Sequence, residues 1–113
     1  MKIGETGQLL RVFIGESDEH NGEPLYRAIV LKARELGLAG ATVLRGAMGF
    51  GANSRLHTTR LLELSENLPV RIEIIDLPER IGPLLTALEA MIGEGLVVIH
   101  DVHVLRYVPD PKK

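Results

Sequence analysis

The segment from residue 45 to residue 60 carries the side chains best suited to chemistry in this chain. Its sequence, Arg45-Gly-Ala-Met-Gly-Phe-Gly-Ala-Asn-Ser-Arg-Leu-His-Thr-Thr-Arg60, contains three arginines, a histidine and several hydroxyls. No carboxylate occurs between Leu36 and Leu62, although the whole chain has a formal net charge of -2. Glycines let backbone N–H groups approach a ligand, and arginines bind phosphate or carboxylate through paired hydrogen bonds. The segment therefore predicts an anion-binding loop, and a basic surface loop without a ligand is the alternative.

The candidate ligand-binding residues of this segment are glycines, one aromatic residue, arginines and a histidine. They are Arg45, Gly46, Gly49, Phe50, Gly51, Arg55, His57 and Arg60. The glycine spacing alone is a weak signal, because it matches neither the dinucleotide fingerprint nor the P-loop with its lysine and hydroxyl. Its combination with nearby cations, and with a second glycine turn at Gly93-Glu94-Gly95, is what favours phosphate binding.

Catalytic and metal-binding patterns are weak by comparison. The chain has no cysteine, which excludes disulfides, thiolate zinc sites and cysteine nucleophiles. Ser54 and Ser65 lie in no nucleophile-elbow pattern. His100 and His103 are three residues apart on a predicted strand, so their side chains should point to opposite faces. The sequence thus predicts a protein that is not an enzyme, with no catalytic residues and no metal site.

Composition limits the class of protein further. A chain of 113 residues, 45% hydrophobic and 25% charged, is ordinary for one globular domain spanning residues 1–113. No apolar run approaches the roughly 20 residues that cross a bilayer, which predicts a soluble, cytoplasmic protein. Aromatic residues make up 4% of the chain and the net charge is slightly negative, so nucleic acid is not an expected partner.

The elements that must position these residues follow from hydrophobic periodicity. Alternating apolar residues predict strands, and apolar residues three and four apart predict helices. For residues 61–69 the pattern does not decide between a strand and a turn. The predicted order is strand 8–14, helix 24–36 ended by Gly37, strand 41–45, strand 70–75, a helix reaching Ile92, and strand 96–108. Pro83 leaves two starts for the second helix, near Pro78 with a bend or near Gly82.

This order predicts an α+β, ferredoxin-like βαββαβ fold, with an antiparallel sheet and both helices on one face. The other face of the sheet would then be uncovered. Apolar residues occur on both sides of the strands, for example Phe13 opposite Val12 and Ile75 opposite Ile74. An apolar face of this kind predicts self-association.

The same residues resemble the PII-like signalling proteins. The element order, the long loop between the second and third strands and the segment from Met91 to Ile99 are similar to that family. The segments Arg45–Gly51 and Leu62–Val70 are more similar to its uncharacterised group known as a domain of unknown function. The resemblance covers residues 7–108 and implies a homotrimer that binds adenine nucleotides between subunits and signals to membrane transporters or enzymes.

The resemblance also implies roles for single residues. Gly93, Glu94 and Gly95 are similar to the turn that wraps the nucleotide phosphates, and Arg106 is similar to a phosphate-contacting arginine. Leu96 stands where PII proteins have a lysine, so AMP or ADP is the expected ligand. Residues 45–60 are expected to be a mobile loop and residues 109–113 a flexible tail. The alternative is a divalent-metal tolerance protein, whose family shares the trimeric architecture.

Overall fold

A four-stranded antiparallel sheet forms one layer of the protein. The computed structural model describes residues 1–2, 4–51, 57–58 and 67–111. The main elements are β1 (Glu5–Gly15), α1 (Leu25–Glu35), β2 (Thr42–Arg45), β3 (Pro69–Asp76), α2 (Pro78–Met91) and β4 (Leu96–Val104). The strand order across the sheet is β2-β3-β1-β4. The predicted α+β, ferredoxin-like order is therefore confirmed.

Two pairs of two-residue strands supplement this sheet. Glu19–His20 pairs with Glu23–Pro24 in the turn before α1, and Met48–Gly49 pairs with His57–Thr58 after β2. Both pairs are antiparallel. The segments that the sequence indicated as a polar turn and as a loop thus contain local backbone pairing.

The core lies between the helices and one face of the sheet. Leu10 pairs with Ile74 and Val12 pairs with Ile72 across β1 and β3, so the four side chains share a face. All four are at most 1% exposed, and they belong to one cluster with helix residues such as Ile29, Ile81 and Leu84. The period-two pattern of the strands and the helical spacing of α1 and α2 therefore determine which face is covered.

The helix ends follow from local chemistry. α1 begins directly after Pro24, and Gly37 adopts a left-handed φ of +78° just beyond its end. α2 begins at Pro78 and continues through Pro83, which settles the two starts in favour of the earlier one. An exposed proline at that position removes a single backbone hydrogen bond, and the buried apolar side of the helix outweighs this loss.

The last strand is shorter than its sequence predicted. The β-branched pattern predicted a strand over residues 96–108, whereas β4 ends at Val104. Val104 pairs with Glu5, the first residue of β1, so the neighbouring strand offers no partner beyond this position. Residues 105–107 instead line a groove together with residues 39–42, which lead into the strand at the opposite edge of the sheet.

The second face of the sheet is not covered by the helices, as predicted. Phe13, Leu44 and Ile75 lie on this face and are each about two-fifths exposed. At its centre, the Arg11 guanidinium lies 2.7 Å from the Glu73 carboxylate, and the Arg71 guanidinium lies 3.4 Å from the same carboxylate. We call this surface the open face. In the part of the chain that the structure describes, no helix is long and apolar enough to cross a membrane.

Candidate functional site

The antiparallel sheet places chain segments with different chemistry at its two ends. At one end, β1 finishes at Gly15, β2 finishes at Arg45, and β3 and β4 begin. We call this the loop end, because the segment joining β2 to β3 leaves from it. At the other end, β1 begins, β4 finishes at Val104 and the turn from α1 enters β2. We call this the tail end.

At the loop end, Gly46 and Gly49 pack closely against Pro69. The Gly46 N–H donates a 2.7 Å hydrogen bond to the Pro69 carbonyl oxygen. A Cβ added at Gly46 would lie 2.8 Å from Pro69 Cγ, and one added at Gly49 would lie 3.1 Å from the same atom. These two glycines thus have a packing reason of their own, because a larger residue would push the two stems of the loop apart.

Arg45 contacts the carboxylate of Glu16, which is not among the site residues predicted from the sequence. Its Nη1 donates a 2.7 Å hydrogen bond to Glu16 Oε2, while most of the arginine side chain stays exposed. Glu16 follows β1, and Arg45 ends β2, so the topology alone brings both to the loop end. The segment 36–62 is free of acids in the sequence, yet its first arginine is paired in the fold.

The structure describes the other candidate residues of the loop segment to different extents. Phe50 is 70% exposed, and a Cβ at Gly51 would meet no atom of the described residues within 4 Å. For His57 only the backbone is described, and it pairs with Gly49. Arg55 and Arg60 lie outside the described residues, as does most of the stretch 61–69. Their roles, and the mobility of residues 45–60, remain predictions.

The second glycine turn also lies at the loop end. Gly95 precedes β4, and a Cβ there would lie 2.8 Å from the Phe13 carbonyl oxygen and 3.0 Å from Ile14 Cγ2. Gly93 and Glu94 are exposed beside it. The fold therefore explains Gly95 by close backbone approach, and leaves Gly93 and Glu94 accessible at the same end of the sheet as Arg45.

Arg106 lies at the tail end, away from the other candidates. β1 has 11 residues, so its two ends are roughly 35 Å apart, whereas β2 has four residues, so Thr42 and Arg45 are only about 10 Å apart. Arg106 lines a groove of about 600 Å³ on the open face. Other lining residues of this groove are Thr42, Glu73, Ile75, His103 and Tyr107. Among the described residues, the lining of this groove includes Arg106 but neither Arg45 nor the glycine turn before β4.

A buried carboxylate fixes one wall of this groove. Asp76 is 2% exposed, and its oxygens accept hydrogen bonds from the Ala39 N–H at 2.8 Å and the Leu77 N–H at 2.7 Å. Arg80 lies 3.6 Å from the same carboxylate and donates to the Gly37 carbonyl oxygen. The link to Ala39 required the fold.

The described histidines do not form a metal site with acidic neighbours. His100 pairs with Leu9 and His103 pairs with Thr6, which places the two histidines on opposite faces of β4, as predicted. Within the described ranges, no group of three or more histidine, aspartate or glutamate side chains could hold a metal ion.

Comparison with solved structures shows the fold. A putative PII-like signalling protein from Thermus thermophilus superimposes with a TM-score of 0.66 at 18% identity, over 92% of this chain and 94% of that chain. CPII from Thiomonas intermedia, a nitrogen regulatory PII-like protein bound to ADP, AMP and bicarbonate, gives a TM-score of 0.63 at 20% identity. That match covers 90% of this chain and 91% of that chain. The fold is therefore PII-like.

Comparison of sequences shows the family. A UPF0166 protein of Aquifex aeolicus is 37% identical over 98 residues, which covers 87% of this chain and 92% of the relative. A UPF0166 protein of Methanocaldococcus jannaschii is 35% identical over 100 residues, covering 88% and 92%. Residues 7–104 match the DUF190 family, described as Uncharacterized ACR, COG1993. The chain belongs to this DUF190/UPF0166 family, and the resemblance to the domain of unknown function is confirmed.

Proposed function

We propose that this protein is a non-enzymatic regulator that binds AMP or ADP between copies of itself. The observation that carries the proposal is the division of the candidate phosphate ligands between the two ends of the sheet. Arg45 and the glycine turn before β4 lie at the loop end, and Arg106 lies at the tail end. We place the site between the loop end of one protomer and the tail end of another, because the groove that Arg106 lines includes neither Arg45 nor the glycine turn before β4.

The open face supplies a surface for that association. Phe13, Leu44, Ile75 and Leu96 expose apolar area there, and the helices occupy the opposite side of the sheet. Contact between open faces would bury this area, which favours association through the hydrophobic effect. The groove at the tail end opens on the same face. A homotrimer is the assembly that we propose, in line with the family resemblance.

The tail-end groove is suited to a nucleoside. Its volume of about 600 Å³ lies within the range of small-molecule sites. Ile75 and Val102 offer apolar contact to a base, and the Arg106 guanidinium offers charge-assisted hydrogen bonds to phosphate. Exposed Gly93 and Glu94 at the loop end of the neighbouring copy complete the site. Leu96 supplies no cation beside them, which favours AMP or ADP over ATP.

In this proposal, the loop of residues 45–60 transmits nucleotide binding to a target protein. Nucleotide in the cleft would shift the loop between arrangements by its differential affinity for them, and the loop would present a different surface to a target. A cytoplasmic enzyme or the cytoplasmic side of a membrane transporter is the class of target that we propose. CPII, bound to ADP and AMP, supports the ligand class by similarity of fold.

Isothermal titration with AMP, ADP and ATP, together with the solution mass of the protein, tests the proposal. We expect heat with AMP and ADP, weaker binding of ATP, and a mass of three chains. Absence of heat and of any thermal shift with all three nucleotides would remove the proposed function.

Mixed oligomers test the shared site directly. Arg45→Ala and Arg106→Ala should each weaken binding, since each removes one side of every cleft. When the two variants are co-assembled in equal amounts, roughly one quarter of the clefts combine an intact loop end with an intact tail end. We expect that fraction of sites to bind ADP like the wild type. Co-assembly that restores no binding would contradict a site between chains.

A further inference from the structure

Glu16 makes contacts with both stems of the loop that joins β2 to β3. Its side chain accepts the 2.7 Å hydrogen bond from Arg45 at the end of β2. Its backbone N–H donates a 2.8 Å hydrogen bond to the Leu68 carbonyl oxygen, just before β3. The next residue, Ser17, donates its N–H to Asn67 Oδ1 at 2.9 Å. One short turn after β1 therefore holds the loop at its entry and its exit.

The two partners of the ion pair differ in exposure. The Glu16 side chain is 26% exposed, while the Arg45 side chain is 61% exposed. The turn around Glu16 is itself fixed, because Asp18 Oδ2 accepts the Gly15 N–H at 2.9 Å and the Asp18 carbonyl oxygen accepts the Leu25 N–H. Glu16 is thus the fixed member of the pair, and Arg45 is the member that can leave it.

From these contacts we propose that Glu16 is an internal competitor for the anion-binding arginine, and that it sets the affinity of the site. This inference rests on the proposed function, since it assumes that Arg45 contacts the phosphates. A phosphate that takes both hydrogen bonds of the guanidinium must displace Glu16, because the carboxylate holds one of the nitrogens and repels the anion. The free protein is then competent only in the fraction of molecules whose Arg45 is released.

The competition has a quantitative consequence. The apparent dissociation constant equals the intrinsic one divided by the competent fraction, so the effect is the same for every ligand that needs Arg45. An exposed ion pair of this kind corresponds to about two- to fivefold in an equilibrium constant. Glu16→Gln keeps the backbone bond to Leu68 and the side-chain size while removing the charge. It should therefore lower the apparent dissociation constants of AMP and ADP, and by an equal factor for the two nucleotides.

A double-mutant cycle in the full-length protein tests this inference. Dissociation constants of AMP and ADP are measured for the wild type, Glu16→Gln, Arg45→Ala and the double variant. We expect Glu16→Gln to tighten both ligands about two- to fivefold in the wild type and to have no effect when Arg45 is alanine. Glu19→Gln is the matched control, because it removes an equal charge from the same turn region at an exposed position.

The outcomes separate the inference from the function on which it rests. Equal or weaker binding by Glu16→Gln, with normal binding by the wild type, overturns the inference alone, and weaker binding assigns Glu16 a positioning role. A gain that persists with Arg45→Ala, or that Glu19→Gln reproduces, also overturns it, because the effect is then general electrostatics. No binding by any variant removes both proposals.

Discussion

The loop end and the tail end of the sheet are built in different ways. At the loop end, short polar contacts hold the chain to itself: Gly46 to Pro69, Glu16 to Leu68 and Arg45 to Glu16. At the tail end, an open groove of about 600 Å³ is bounded by the turn that Asp76 holds in place. A ligand at the loop end would therefore have to exchange partners, whereas one at the tail end would enter existing space.

An arginine in an acid-free stretch of sequence is therefore not necessarily free of a carboxylate in the fold. Arg45 lies in a stretch without acids and still has a carboxylate at 2.7 Å. Arg106 lies in a mixed stretch with Asp101 and Asp110 nearby in sequence, and it lines the groove. Three substitutions test whether the two ends respond independently.

Leu88→Ala should destabilise both ends of the sheet. Leu88 is 3% exposed in the core that joins α2 to the sheet, so its truncation should cost about 2 to 5 kcal/mol in the free energy of unfolding. Chemical denaturation measures this loss. Leu31→Ala on α1 is the control, because Leu31 is 40% exposed and should matter little. Similar losses from the two variants would contradict the position of the core.

Asp76→Ala should affect the tail end more than the loop end. It leaves the Ala39 and Leu77 N–H groups without their acceptor, which should cost about 1 to 3 kcal/mol. Amide hydrogen exchange should increase at residues 38–42 and stay unchanged at Glu16 and Gly46. Glu79→Ala, an exposed carboxylate in the first turn of the same helix, is the control. Equal exchange at both ends would argue against a local role for Asp76.

Gly46→Ala should affect the loop end alone. The added Cβ would lie 2.8 Å from Pro69 Cγ, and separating the stems should cost about 1 to 2 kcal/mol. Gly51→Ala is a close control, since its Cβ would meet nothing within 4 Å. Thermal unfolding of the two variants gives the comparison. A melting temperature of Gly46→Ala equal to that of Gly51→Ala would show that the stems tolerate separation.

Much of the fold was predictable because it follows from the local pattern of apolar residues. Alternation in β1 and β3 and helical spacing in α1 and α2 gave the element order and the covered face of the sheet. The end of β4 was predicted wrongly, because apolar residues recur as far as Val108 while the pairing partner ends at Glu5. Strand length depends on the neighbour as well as on the sequence of the strand itself.

The candidate site was predictable in its residue types and less so in its arrangement. Arg45 and the glycine turn before β4 do lie at one end of the sheet, as the loop end shows. Arg106 lies at the other end, and no periodicity could show whether it reaches its partners within one chain or across two. Glu16 was absent from the predicted set because its distance from Arg45 in sequence is 29 residues.

Propensity and local spacing are enough to predict the order of helices and strands and the covered face of the sheet. They do not show which charges pair, which glycines are needed for close packing or which end of the sheet each candidate occupies. Ion pairs and close contacts depend on distances across strands. Those distances arise only when segments far apart in sequence share one sheet.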